Sequence, residues 1–252
     1  MIICFSFDDG RADFYNTSQI LYKHGLKGTF HITTGFIDGS FTTCCFGKDR
    51  SPLTITQLQD MTKCGMEIAS HGDRHITNSN DFKQSLIKIR KWIKTNGKIG
   101  FSIPNSKIQE GVLHNFVCQN ATDLLYVRGG RSKNCYSLLP KAAYFFYHHI
   151  CKLQFLYNYF NKNNLNFTVD KWNLNSVVVT NDIKLSNVVK FIKKYARYDC
   201  VVVLMFHSIV QKPNDRWEWK ESNFSKLCEH ISELIKEGKI VCKRIDELFK
   251  TK

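Results

Sequence analysis

Short apolar runs rich in β-branched and aromatic residues recur along the chain, separated by amphipathic stretches. Residues 2–7 read as a buried strand. The periodicity then predicts helix over 15–24, strand over 28–32, helix over 55–64 and strand over 67–70. Ser79-Asn80-Asp81 is expected to cap a long helix over 82–95, which Asn96-Gly97 stops. Strand, helix and strand follow over 99–103, 109–119 and 124–127. After a gap come strands at 176–179, 201–206 and 240–242, with helices at 185–195, 224–236 and 245–249. Strand and helix alternating in this way imply parallel pairing with helices outside. At 252 residues the expected architecture is one α/β domain over 1–252, a distorted or incomplete (β/α) barrel. No internal repeat is visible.

In such a barrel the chemistry sits at the C-terminal ends of the strands. The first strand ends in Asp8-Asp9-Gly10, and the strand over 67–70 runs into Ser70-His71-Gly-Asp-Arg-His75. The others end in Pro104-Asn105, Arg128 and His207-Ser208. Two aspartates, three histidines and an arginine would thus share one mouth. His71 and His75 are four apart, which on a helical turn places them on one face. Two imidazoles and one carboxylate make a facial triad for a cation, with Asp8 or Asp9 as the third ligand. The other aspartate is then free to take a proton from water acidified by the cation. His207 is available to protonate a leaving nitrogen. That residue set suits metal-assisted amide hydrolysis.

Composition narrows the setting. The 36 basic and 22 acidic residues give a net charge of +14. The lysines are spread over predicted helices, and no helix-turn-helix, RNP or zinc-finger pattern occurs, so specific nucleic-acid binding is not expected. Weak contact with anionic surfaces fits the charge. Ten cysteines include no pair of C-x-x-C motifs; Cys44 and Cys45 are adjacent, and Cys4, Cys200 and Cys242 lie in apolar runs. With the first strand beginning at residue 2, we expect free thiols in a reducing cytoplasm.

The stretches FSFDDG at 5–10, SHGDRH at 70–75 and LMFH at 204–207 resemble the first, second and last motifs of polysaccharide deacetylases of the NodB-homology type, a carbohydrate esterase family 4-like group. QLQDMTKCGMEIASH resembles the helix and strand leading into the second motif. The resemblance implies a distorted (β/α) barrel that removes acetyl groups from an acetylated amino sugar. It implies Asp8 as the catalytic base, and Asp9, His71 and His75 as ligands of one divalent ion, most often zinc. His207 would be the general acid. An O-acetyl esterase would use the same machinery, and a sugar-binding pseudoenzyme would keep only the fold.

Two motifs depart from that pattern. FSIPNS at 101–106 carries Ser102 where the third motif has an arginine that pairs with the base. YVRGG at 126–130 resembles a later stretch from which Arg128 would supply the missing guanidinium to Asp8. The fourth motif is weak: DKWNL at 170–174 offers Asp170 to orient His207. The aromatic-rich segment near 141–165 reads as an insertion, either a packing helix or a lid over the substrate. Its two histidines, lysine and amides argue against a membrane span.

Overall fold

The computed structural model describes residues 1–42, 50–106, 108–129, 146, 150 and 161–250. Its centre is a parallel sheet whose strands follow the sequence pattern closely. In chain order the strands and helices are β1 (Ile2–Asp9), α1 (Asp13–Lys23), β2 (Gly28–Ile32), α2 (Thr34–Asp38) and α3 (Ile55–Lys63). Next come β3 (Glu67–Ser70), α4 (Ser79–Ile93), β4 (Ile99–Ser102), α5 (Glu110–Asn120) and β5 (Leu124–Arg128). The C-terminal part adds β6 (Val177–Val178), α6 (Leu185–Tyr195), β7 (Val201–Phe206), β8 (Ser208–Val210), β9 (Glu218–Lys220), α7 (Glu221–Lys236) and β10 (Val241–Cys242). The chain's end makes a 3₁₀ turn at Asp246–Leu248, where a helix over 245–249 was expected.

The strand order is β5-β4-β3-β2-β1-β7-β6, with β10 beside the start of β1. All these pairs are parallel. The result is a half-barrel with helices outside, as the alternation predicts. Past β5 the chain returns at Leu174, which pairs with Arg128, and the Leu174 amide donates to the Val127 carbonyl at 3.0 Å. The expected 141–165 insertion lies largely outside the described residues, as do Cys44 and Cys45. Among the described residues no helix is long and apolar enough to cross a membrane.

Alternation along each strand decides which side chains face the barrel interior. Ile3, Phe5 and Phe7 of β1 pack under the helices, with Phe7 stacked on Phe30 of β2 at 4.5 Å and edge-on to Phe14 of α1. Cys4, Ser6 and Asp8 therefore point the other way, into the interior. The same parity turns Thr29 and His31 of β2, Glu67 of β3 and Met205 of β7 inward. Their neighbours Phe30, Ile32, Ile68, Leu204 and Phe206 join the helix-side core. In β4 the inward positions are Gly100 and Ser102. A Cβ on Gly100 would lie 2.1 Å from the Tyr126 ring, so only glycine leaves Tyr126 its place in the interior.

Candidate active site

The mouth of the half-barrel gathers the polar strand ends, and backbone geometry explains how adjacent aspartates face one cleft. Asp8 points inward by strand parity. Asp9 would point outward, but its backbone is left-handed, with φ of 95°, and the side chain turns back to the same cleft. Gly10 follows, also with positive φ.

His71 and His75 meet differently from the expectation. They sit on a loop after β3, not on a helical turn. Gly72 at φ 85° and His75 at φ 57° fold this loop back, bringing the two Nε2 atoms to 3.1 Å. Asp81 holds the loop from α4, accepting from the amides of Asp73 and Arg74 at 2.8 Å each. A side chain at residue 72 would collide with that carboxylate, which explains the glycine. Helix α4 itself is capped one residue earlier than the expected Ser79-Asn80-Asp81: Asn78 accepts from the Asp81 amide.

Asp9, His71 and His75 bring one ligand atom each to within 4.8 Å of one another. Asp9 Oδ1 is 3.7 Å from His71 Nε2 and 3.8 Å from His75 Nε2. Metal–ligand bonds of about 2.0–2.2 Å at tetrahedral angles need separations of roughly this size. The donor chemistry fits as well. His71 Nδ1 donates to the Ser102 carbonyl at 3.0 Å, which leaves Nε2 as the free donor atom. Burial keeps the imidazoles neutral, as metal ligands must be, with His71 lowered to about 3 and His75 lowered as well. Burial raises the Asp9 carboxyl to about 7 against the pull of Arg11, whose Nη2 lies 3.2 Å from Asp9 Oδ2.

Asp8 stands beside this group in a different field. Arg128, fully buried, donates Nη2–H to Asp8 Oδ1 at 2.6 Å and also contacts Oδ2. Its Nη1 donates to Ser176 Oγ at 3.2 Å. Burial alone would raise the Asp8 carboxyl, but the Arg128 guanidinium holds it well below the ordinary carboxylate range. Arg128 pairs in register with Ser102, the position that lacks the motif arginine.

His207 follows β7 on the opposite side of the cleft, its ring 4.6 Å from that of Trp217. Burial lowers it to about 4, with Asp8 opposing and Arg11 and Arg128 assisting. Its Nδ1 is buried and has no hydrogen-bond partner among the described residues. Asp170, from the weak fourth motif, accepts from the Trp172 amide. Asp13 fixes the segment after His207, accepting from Ser208 Oγ and the Ile209 amide. The cleft has a volume of about 390 Å³, and Asn105, Val178, Met205, Arg216 and Trp217 complete its wall.

Sequence reasoning missed Arg11, Asp13, Trp217 and His31. Arg11 directly follows the Asp-Asp-Gly turn, and His31 interrupts an apolar strand, so both left a readable signal. Trp217 reaches the cleft through the β8–β9 connection, which no local pattern foretells.

Residues 2–113 match the sequence model of the polysaccharide deacetylase family. No curated protein matches the chain by sequence. Solved structures with the same fold include a family 4 acetyl xylan esterase from Clostridium thermocellum in complex with a cobalt ion. It is 15% identical, with a TM-score of 0.54 over 99% of this chain and 90% of that one. A family 4 carbohydrate esterase from Streptomyces lividans in complex with acetate is 11% identical, at 0.54 over 100% and 96%. A family 4 pseudoenzyme from Bacillus anthracis is 12% identical, at 0.51 over 99% and 65%. At these identities the likeness is one of fold. The sequence of residues 2–113 is thus similar to that of polysaccharide deacetylases, and the fold is that of family 4 carbohydrate esterases.

Proposed function

We propose that the chain is a metal-dependent hydrolase that removes the N-acetyl group from an acetylated amino sugar. The observation that carries this reading is the pairing of Asp8 with Arg128 directly beside the Asp9–His71–His75 donor set. A divalent cation held by those three residues would supply Lewis-acid chemistry, polarising the acetyl carbonyl and lowering the pKa of water; zinc suits a donor set of two imidazoles and a carboxylate.

The chain's own groups carry the proton movements. Asp8, kept ionised by Arg128, accepts the proton of the attacking water. Arg128 fixes the carboxylate in place and retains its own proton throughout. His207, across the cleft, gives a proton to the departing sugar nitrogen. Trp217 offers an aromatic face against which a sugar ring can pack. The retained Asp8–Arg128 pair and the complete donor set favour this reading over a pseudoenzyme that only binds sugar.

A second reading has an observation of its own. His207 lacks a carboxylate partner among the described residues and is lowered to about 4. A weakly protonated acid serves an ester better than an amide, because an alkoxide leaves more readily than an amide anion. An O-acetyl sugar is therefore the alternative substrate. Acetate release from matched N-acetyl and O-acetyl sugars, with zinc or cobalt loaded and after chelation, decides between them. Release from neither class by metal-loaded protein would reject both.

A further inference from the structure

Below the cleft, the half-barrel interior holds a column of buried polar side chains that the proposed reaction does not use. His31 of β2, fully buried, lies under Asp8, with Nδ1 3.5 Å from Asp8 Oδ1 and 3.2 Å from Ser6 Oγ. Its Nε2 lies 3.1 Å from the Tyr126 hydroxyl, and that hydroxyl lies 2.9 Å from Glu67 Oε1. The other Glu67 oxygen, Oε2, accepts from Thr29 Oγ1 at 2.6 Å and from the Asp246 amide at 3.1 Å. Thr29 Oγ1 itself accepts from the Ile245 amide, so the Thr29 proton is committed to Glu67.

The donor count constrains this column. The Tyr126 hydroxyl has one proton and can give it to Glu67 or to His31, not to both. Two donors already point at Oε2, so a proton bound to Glu67 sits on Oε1, facing Tyr126. With Glu67 ionised, Tyr126 donates to Oε1 and accepts Nε2–H from His31; His31 Nδ1 is then a lone pair beside Asp8 that accepts from Ser6 Oγ at 3.2 Å. With Oε1 protonated, every bond reverses. Oε1–H donates to Tyr126, Tyr126 donates to His31 Nε2, and His31 presents Nδ1–H toward Asp8. The imidazole holds one proton in both arrangements, and Tyr126 keeps one. The single proton that Oε1 gains or loses is exchanged with solvent.

We propose that His31 is a positioning residue for Asp8, and that Glu67 sets the His31 tautomer through Tyr126. The assignment rests on the reading of Asp8 as the base. The surroundings of Glu67 allow the exchange. Asp246 and Arg244 face it from the C-terminal segment, and Cys4 from β1, while Tyr126 and Thr29 complete the cage. Burial, reinforced by Asp246, raises the Glu67 carboxyl to about 7, and burial keeps His31 well below its ordinary value and hence neutral. The ring of Tyr126 is clamped between Gly100 and the stacked Phe249, so its hydroxyl stays aimed at both partners.

Ring-nitrogen NMR of zinc-loaded, 15N-histidine-labelled protein tests the link without needing turnover, with His31→Gln assigning the signal. The wild-type ring is expected to pass from Nδ1–H to Nε2–H as pH rises from about 5.5 to about 8.5. Glu67→Gln must place its carbonyl at the Oε2 position and its amide toward Tyr126, so it holds His31 as Nδ1–H throughout. Tyr126→Phe cuts the connection and makes the tautomer independent of pH. An Nδ1–H aimed at Asp8 draws on the electron pair that takes the proton from water, so Glu67→Gln is expected to lower kcat about tenfold at the alkaline end, match wild type at the acid end and leave KM unchanged. A wild-type tautomer that ignores pH, or Glu67→Gln spectra identical to wild type, overturns the link. An unchanged kcat at the alkaline end overturns the positioning role. If wild type itself releases no acetate, the proposed function fails, while the ring spectra still decide the coupling.

Discussion

Arg128 reaches Asp8 from the end of β5, across the half-barrel interior, and the two side chains are buried together. Replacing the arginine with methionine keeps the apolar stem and leaves a carboxylate in the interior without its counter-charge. Arg128→Met should retain the metal and lose about a hundredfold or more in turnover. The pH dependence has a definite sign. In wild type the Asp8 carboxyl is depressed, so it favours the folded state above the ordinary carboxylate pKa and loses that contribution in acid. Without Arg128, burial raises the same group and penalises the folded state at neutral pH. The stability gap between wild type and Arg128→Met should therefore be largest near pH 7 and shrink toward acid. Denaturant titrations across pH measure it; a gap constant with pH would count against the pairing.

Metal uptake should displace one proton from Asp9. Its carboxyl is raised to about 7, whereas His71 and His75 are lowered and already neutral. Calorimetry in buffers of different ionisation enthalpy should show about one proton released near pH 6 and almost none near pH 8. Affinity should weaken on the acid side accordingly. His71→Ala should abolish stoichiometric binding, and a variant that still binds one ion per chain would remove the site.

His207 is best probed by leaving group. His207→Ala should impair hydrolysis of an N-acetyl sugar by about a hundredfold but hydrolysis of an aryl acetate far less, since a phenolate needs no proton to depart. Equal losses on the two substrates would deny His207 the leaving-group role.

Gly100→Ala tests the interior packing. The added methyl would lie 2.1 Å from the Tyr126 ring. Relief requires moving a fully buried tyrosine, at a cost of about 1–3 kcal/mol. Urea denaturation should show this loss, and Gly100→Ala combined with Tyr126→Ala should recover part of it. Full additivity of the two changes would mean the contact is not limiting.

Much of this fold was legible because the strands are buried on both faces or alternate cleanly. The bounds expected for β2, β3, β7 and α6 coincide with those observed. The polar rim of the cleft was legible for a related reason: a polar residue closing an apolar run has to sit at a strand's end. What escaped was conformation that depends on tertiary contacts. The spacing of His71 and His75 suits a helix, yet Gly72 and the Asp81 carboxylate impose a folded-back loop. Asp8 and Asp9 share one cleft only because Asp9 adopts a left-handed backbone, which costs about 1–3 kcal/mol and leaves no trace in residue type. The interior column through His31 and Glu67 was hidden because its members come from strands far apart in sequence.

The lateral pairing of Ser102 with Arg128 has a consequence for how such chains diverge. Because the two positions share a rung of the sheet, a guanidinium rooted at either one can meet the same carboxylate. In this chain the guanidinium that meets Asp8 stands one strand spacing from Ser102. Chains like this one are better sorted by which rung carries the cation than by which motif does.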